Sequence, residues 1–509
     1  MRLRLQYAGF GLLATLVGMA TGHLVASLTK PASSPVLAVG SEVIDLTPTP
    51  MKEWAIRQFG SNDKPILIGS VLLGVLVLAA VAGVLTRRRF AVGAAILVLL
   101  VGVAAAAALS RPAAEATDLL PSLLTAVVAV AALWWLDRAA RTGALARRAP
   151  DEDPASGPTR RGVVIAMGVV AVAAAVMGTA GRVIGKLRTR PEDITLPAAA
   201  EKAPPLPKGI ERQVPGLTPF TTPNDDFYRV DTRLDTPIIS ADDWTLIIDG
   251  DVEKELTLTF DDLLAMPLIE RDITLTCVSN SVGGPYVGAA RWLGVRLTDL
   301  LELAGVGSRA DQILSTDFEG MTISTPLELA TDGRDAMIAL GMNGAALPRE
   351  HGFPARMVIP GLYGFISATK WVTRLTLTTY AEKQAYWTER DWATDAPIKI
   401  SARIDTPNAL DSLDAGETVV GGVAWAQQKG GVAKIEVRID GGPWQPAQLG
   451  PDGGNDYWRQ WFYKWDARPG QHTLAARVTS GDGEVQSAVM ANPFPEGASG
   501  IQEFLVNVA

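Results

Sequence analysis

Hydrophobic residues gather into five long runs in the first part of the chain, at residues 7–28, 66–85, 90–109, 119–136 and 163–180. Each is close to the ~20 residues that a helix needs to cross a bilayer while satisfying all its own backbone groups. The runs predict a transmembrane helix bundle of about five spans within residues 1–190. Residues 191–214, "PEDITLPAAAEKAPPLPKGIERQV", are rich in Pro and Ala without periodicity and read as a linker. Beyond it the pattern changes. "WTLIIDG", "ELTLTF" and "DITLTC" read as strands, whereas "RWLGVRLTDLLELAGV" repeats its apolar positions at three and four and reads as a helix. Residues 215–398 are therefore expected to form an α+β domain. In residues 399–509, "KIEVRID" alternates Ile435, Val437 and Ile439 against Lys434, Glu436, Arg438 and Asp440. Such strands, separated by Gly and Pro turns, predict a β-sandwich of about 110 residues.

Charge divides the chain at the same place. Residues 1–190 hold 20 Lys and Arg against 10 Asp and Glu, and residues 191–509 hold 26 against 44, giving net charges of +10 and −18. The acidic part lacks the clustered cations that bind polyanions, which excludes nucleic acid as a partner, whereas the apolar part requires a lipid bilayer. Cytoplasmic loops retain Lys and Arg. Arg2 and Arg4, the "RRR" at 87–89, and the loop holding Arg138, Arg141, Arg147, Arg148, Arg160 and Arg161 all agree on an inside N-terminus. The fifth span then exports everything after it. Arg182, Lys186, Arg188 and Arg190 oppose that sense, one flank against three loops. "MRLR" ahead of the first run also fits a signal peptide, whose removal would leave four spans and the same final side. Arg160 and Arg161 are similar to a twin-arginine export signal, or are ordinary positive-inside residues.

Cys277 is the one cysteine, and His23, His351 and His472 are the histidines. An internal disulfide, a cluster held by four thiolates and a Cys/His zinc finger are all excluded. His23 alone lies in the apolar part, one short of the axial pair of a b-type haem, so the bundle reads as an anchor or a docking surface for another subunit. By residue type alone Cys277 would be a small buried apolar group.

Its neighbourhood changes that reading. "TLTCVSNSVGG", then "ARWLGVRLTDLLELAGV", then "MNGAALPREHGFPARMVIPGLYGFISATKW" resemble, in this order, the sulfite oxidase family of molybdopterin enzymes, over roughly residues 215–509. The resemblance implies a molybdopterin-binding domain followed by an immunoglobulin-like sandwich of the kind used for dimerisation, and hence a homodimer. It implies a molybdenum-molybdopterin cofactor whose one bond to the protein is the Cys277 thiolate, a soft ligand suited to such a metal. By similarity His351 and Arg356 contact the cofactor, and Ser367, Ala368, Thr369 and Lys370 wrap its tail. "PNDDFYRVDT" resembles the family's N-terminal pterin loop and points to Asn224, Tyr228 and Arg229. Sulfite oxidases carry Arg-Asn-His where this chain has Val230, Asp231 and Thr232. Their catalytic tyrosine, two residues before "MNG", is Leu340 here, and neutral residues follow Cys277 where they place arginines. "YGFISATKW" looks closer to the periplasmic methionine sulfoxide reductases. The resemblance thus implies an extracytoplasmic oxidoreductase acting by oxygen-atom transfer on a small-molecule or sulfoxide-type substrate, with a separate electron carrier. Arg291 reads equally as a substrate-side cation or a surface Arg.

Overall fold

The computed structural model describes residues 2–509 apart from 49–50, 52–53, 55–57, 60–62, 112–113, 146–159, 189–193 and 235. Arg147, Arg148, Arg190 and the start of the expected linker, 191–193, lie outside the described residues. The chain forms two compact units, Met1–Arg190 with Thr232–Ile238, and Pro191–Asp231 with Ile239–Ala509.

Among the described residues of the first unit, five helices are long and apolar enough to cross a membrane: Leu3–Leu28, Lys64–Thr86, Phe90–Leu109, Ala116–Arg141 and Gly162–Gly185. They fall on the five apolar runs. The first packs against the second, fourth and fifth. Its crossing with the second brings backbones together, since a Cβ on Gly11 would collide with the Ala79 carbonyl, and small residues are what let spanning helices approach so closely. At the end of the fourth span buried Asp137 accepts from the Tyr7 hydroxyl at 3.0 Å and pairs with Arg141 at 2.7 Å. His23 lies against Gly181 of the fifth span. The helix Pro35–Leu46, too short to register as an apolar run, packs on the second and third spans.

The second unit opens with ten strands: β1 (Thr245–Gly250), β2 (Leu256–Thr259), β3 (Leu268–Thr276), β4 (Val287–Arg296), β5 (Gln312–Asp317), β6 (Thr322–Pro326), β7 (Met337–Met342), β8 (Ala345–Ala346), β9 (Arg356–Val358) and β10 (Val372–Thr378). They build one sheet in the order β2-β1-β10-β5-β6 and another in the order β3-β4-β7-β8, with β9 beside β7. Fully buried Trp292, Leu340 and Phe353 lie in the core they share. One expected element is corrected here. Residues 291–296 of the stretch read as a helix belong to β4, and only Leu297–Ala304 is helical. Trp292 and Val295 are both fully buried because β4 is covered on its two faces, so the period of two disappears and the residual spacing imitates a helix. Gly294 fits the strand closely, since a Cβ there would strike the Ile338 carbonyl of β7.

The described part of the expected linker, 194–214, runs along this fold. Ile194, Leu196 and Leu206 pack on the core, Glu201 bridges to Ile269, and its carboxylate takes Arg271 and Arg296. An extended Pro-rich strip docks through isolated side chains, which leaves no periodicity to read.

From Ser401 onward two further sheets enclose a common core that includes Val420, Ile435, Val437, Trp461, Leu474 and Val506. This is the expected sandwich, with Ile435 and Val437 facing inward. It also holds β3 in place. The Thr274 N–H donates to the Asp456 carbonyl at 2.9 Å, its hydroxyl oxygen accepts from the Trp458 N–H at 2.8 Å, and its carbonyl accepts from the Gln427 amide. Three residues further on lies Cys277.

Candidate active site

Cys277 directly follows β3, where its N–H donates to the Tyr286 carbonyl at 3.0 Å and the Tyr286 N–H donates to Asn280 Oδ1 at 2.8 Å. These two bonds close the loop 277–286 and fix the thiol, which is free and buried. Burial pushes its pKa up, against the Ser279 N–H and hydroxyl and the charge of Lys370. Such a thiol keeps its proton until a metal cation displaces it. The phenols of Tyr228 and Tyr363 lie close enough to feel the Cys277 charge. Burial pushes Tyr363 up to about 12 and Tyr228 further still, and a thiolate at Cys277 would add to both shifts. The Gly364 N–H, donating to the Thr276 carbonyl at 3.2 Å, ties the Tyr363 loop to the cysteine.

Opposing this thiol is a group of cations assembled by "HGFPARM". His351 ends a single 3-10 turn, and Gly352 then takes a φ of +116°, where a Cβ would lie 3.0 Å from Arg356 Cβ and 3.1 Å from Lys370 Cα. Glycine therefore permits the reversal that pairs Arg356 with Lys370. The buried Arg356 guanidinium sits over the Trp292 ring at 5.1 Å and donates from Nη1 to the His351 carbonyl at 3.2 Å, but Nε has no partner. Burial pulls its pKa down to about 10. Lys370 Nζ lies 2.7 Å from Asp231 Oδ2 and donates to the Glu350 carbonyl at 3.1 Å, and burial pulls it down to about 8. Arg229 Nε approaches the same Asp231 oxygen at 2.9 Å. Asp231 is thus shared by Lys370 and Arg229, while Arg356 makes no ion pair among the described residues. A buried charge left without a partner is strongly disfavoured, so this excess of positive charge, with an orphaned Nε among it, is matched to an anionic group.

His351 Nε2 lies 2.9 Å from the Asn224 carbonyl and therefore carries the ring proton, while Asn224 Oδ1 accepts from Asn343 Nδ2 at 2.8 Å. Burial, with nearby Arg356 and Lys370, pulls the His351 pKa down to about 4 from 6.5. Because the folded value is depressed, the unfolded chain binds the extra proton between these two values. The stability associated with neutral His351 is complete above pH 6.5 and is lost as pH falls through 4. The loss amounts to roughly 3 kcal/mol. Denaturant melts at pH 7 and pH 4 should show a smaller acid loss in His351→Gln than in the wild type, and equal losses would disprove the assignment.

Asn224, Tyr228, Arg229, Cys277, His351, Arg356 and Lys370 are therefore brought together. The side chains of Ser367 and Thr369 are not presented: Ser367 Oγ donates to the Leu362 and Tyr363 carbonyls, both at 3.0 Å, and Thr369 Oγ1 lies 2.6 Å from Ser315 Oγ. These hydroxyls brace the loop, and Ala368 offers no polar side-chain atom. Arg291 forks onto Asp272 at 2.8 and 2.7 Å, a structural pair rather than a substrate-side cation. Sequence reasoning missed Asp231, Tyr363 and Trp292. Tyr363 was in view, in a loop bracketed by Gly361 and Gly364, but its neighbour Cys277 is 86 positions away. Among the described residues no group of three or more His, Cys, Asp or Glu could hold a metal, so a metal at Cys277 must bring its other ligands with it.

Comparison with known proteins agrees with this chemistry. Residues 233–387 match the family model described as "Oxidoreductase molybdopterin binding domain". Mitochondrial sulfite oxidase of Homo sapiens is 30% identical over 308 residues, covering 50% of this chain and 55% of that protein. The Drosophila melanogaster enzyme of the same name is 32% identical over 296 residues, covering 48% and 50%. The NADH nitrate reductase 2 of Nicotiana tabacum is 28% identical over 286 residues, covering 44% and 31%. The chain spans about half the length of the sulfite oxidases it matches. The crystal structure of the sulfane dehydrogenase SoxCD from Paracoccus pantotrophus shares the fold, with a TM-score of 0.50 and 24% identity over 57% of this chain and 83% of that one.

Proposed function

The chain belongs, through its catalytic half, to the sulfite oxidase family of molybdopterin-dependent oxidoreductases, and from that premise we propose that it is a membrane-anchored oxygen-atom-transfer enzyme. In this reading Cys277 is the molybdenum ligand and the catalytic half lies outside the cytoplasm. One observation carries the proposal: a buried thiol at the end of β3 faces a buried cation group in which Arg356 Nε is unpartnered. The molybdenum-molybdopterin group, when bound, supplies the two-electron chemistry, and the protein supplies binding and orientation.

Arg229, Arg356 and Lys370 would hold the anionic part of that group, and the Asn224 carbonyl fixes the orientation of the His351 ring. Tyr363 Oη, with its pKa pushed up to about 12, keeps its proton at neutral pH and can donate a hydrogen bond to a substrate oxygen. Burial likewise keeps the Tyr228 phenol protonated near the thiol. The substrate is a small neutral oxide of the sulfoxide type. Support comes from Leu340, fully buried on β7 with no polar atom to offer, and from Arg291, committed to Asp272 and unable to greet an oxyanion. The sandwich is an immunoglobulin-like domain that pairs two copies of the chain.

Metal analysis of the full-length protein from molybdate-replete cells tests the chemistry: stoichiometric molybdenum with pterin is expected, and its absence would overturn the reading. Protease added to intact spheroplasts should cut the catalytic half, and protection of that half would reverse the orientation.

A further inference from the structure

The sandwich strand β11 (Ser401–Thr406) carries a charged pair on the face turned away from the sandwich core. Side chains alternate along a strand, so Ala402 and Ile404 enter that core while Arg403 and Asp405 share the opposite face. Arg403 is nevertheless only 8% exposed. Its guanidinium is used in three directions at once. Nε donates to Asp405 Oδ1 at 2.6 Å, Nη2 to Thr218 Oγ1 at 2.8 Å and Nη1 to the Gly284 carbonyl at 3.2 Å. Asp405 Oδ2 accepts from the Thr218 N–H at 3.1 Å. The carboxylate neutralises the buried charge, and the rigid planar fork leaves two donors for groups outside the sandwich.

Both of those groups lead to the candidate active site. Gly284 lies in the loop 277–286 that presents the thiol. Within it the Asn280 N–H donates to the Cys277 carbonyl at 3.0 Å. Gly284 is pressed so closely on Asn280 that a Cβ there would lie 2.6 Å from Asn280 Oδ1, the atom that takes the Tyr286 N–H. A second sandwich residue props the same loop: Gln502 Oε1 accepts from the Ile404 N–H at 2.7 Å, and its amide fills the place of a Cβ on Gly283, where φ is +74°. Thr218 begins the segment whose Thr222 N–H donates to the Ala289 carbonyl at 2.8 Å and whose Asn224 carbonyl holds His351. Arg403 therefore restrains both the loop that carries the thiol and the segment that orients the histidine.

We propose that Arg403 is a positioning residue of the reaction centre: from the sandwich, through Gly284, it holds the 277–286 loop in the shape that shields and aims the Cys277 thiol. Gln502 acts with it from beneath Gly283. A ligand fixed before the metal arrives loses less freedom on binding, so rigidity of this loop raises affinity for the metal group. That bearing on the metal rests on the molybdoenzyme reading, whereas the restraint of the loop does not.

Because the chain has one cysteine, alkylation of the full-length protein by iodoacetamide, read by mass, reports this thiol alone. In detergent-solubilised protein from molybdate-starved cells, Arg403→Met should be alkylated about tenfold or more faster than wild type, since a hydrogen bond from a charged donor is lost from the loop. The rate should stay flat through urea concentrations below the melt, as local opening requires. Arg403→Lys keeps a cation beside Asp405 and a donor for Gly284, and should react more slowly than Arg403→Met. Gln502→Ala should also accelerate the reaction, which decides the matter if Arg403→Met does not fold. Val437→Ala, a core change elsewhere in the sandwich, should react at the wild-type rate without urea. The charge that bears on the thiol is that of Lys370, so these rates report the shape of the loop rather than thiol acidity. Unchanged rates in the folded variants, rates that climb with urea in step with global unfolding, no rescue by lysine, or equal acceleration in Val437→Ala would overturn the proposal. Protein from molybdate-replete cells should carry less molybdenum per chain in Arg403→Met than in wild type. If Cys277→Ser keeps molybdenum, the ligand reading fails while the alkylation result stands; if alkylation is unaffected, the loop restraint fails while the metal analysis stands.

Discussion

Cys277→Ser is expected to yield a folded protein without molybdenum. Serine is nearly isosteric with cysteine and the loop around it is closed by two hydrogen bonds, from its own N–H to the Tyr286 carbonyl and from the Tyr286 N–H to Asn280 Oδ1, neither of which uses the thiol. Stability should therefore change by no more than about 1 kcal/mol. Metal binding should not survive. A hydroxyl is a hard donor that holds its proton far above neutral pH, whereas a thiolate is soft and surrenders its proton to the metal. Outer partners of metal ligands are alone worth about 10–100-fold in affinity or activity, and the ligand itself exceeds them. Molybdenum content and melting temperature, measured on one preparation, decide the matter. A variant that keeps the metal, or unfolds with its loss of thiol, would remove Cys277 from the centre of the site.

Arg356→Met should move two properties in opposite directions. In the cofactor-free protein this guanidinium is buried with Nε unpartnered, its pKa pulled down to about 10, so its charge works against folding. Replacing an uncompensated buried charge by an apolar side chain of similar volume is stabilising by about 1–4 kcal/mol, and methionine keeps a flexible contact with Trp292. The same change removes a buried charged contact to the anionic group, which costs about 2–5 kcal/mol, or some 30-fold or more in affinity. The cofactor-free variant should melt higher than wild type while the purified holoprotein carries less pterin. A fall in both would mean that Arg356 is a structural residue whose removal damages the fold.

Much of this organisation was legible in one dimension because its causes are local. A spanning helix must be apolar along its whole length, so five runs of residues announced five helices, and the alternation at Ile435 and Val437 announced a strand with one face in a sandwich. The limits were equally physical. β4 is buried on both faces, which erased its period and let Trp292 and Val295 imitate a helix. The strip from 194 to 214 docks through single side chains such as Ile194 and Leu196, so nothing in its pattern separated it from a loose connection. In the candidate site the residues tied to a motif, Cys277, His351, Arg356 and Lys370, were named from the sequence. Ser367 and Thr369 lay in the same motif, yet their hydroxyls turned inward to hold the loop. Asp231 looked like a mere departure from the family pattern, although it balances Arg229 and Lys370 together.

Sequence by itself determined the long apolar helices, the change to strand-rich patterning beyond them and the residue types of the candidate centre, because hydropathy, charge and motif spacing are properties of neighbouring positions. Tertiary structure alone decided which side chains face the thiol, which cation is left without a counter-charge, and how the sandwich grips β3 through Thr274. Each of those depends on desolvation and on contacts between residues far apart in the chain, and a buried charge acquires its energetic meaning when the partners around it are in place.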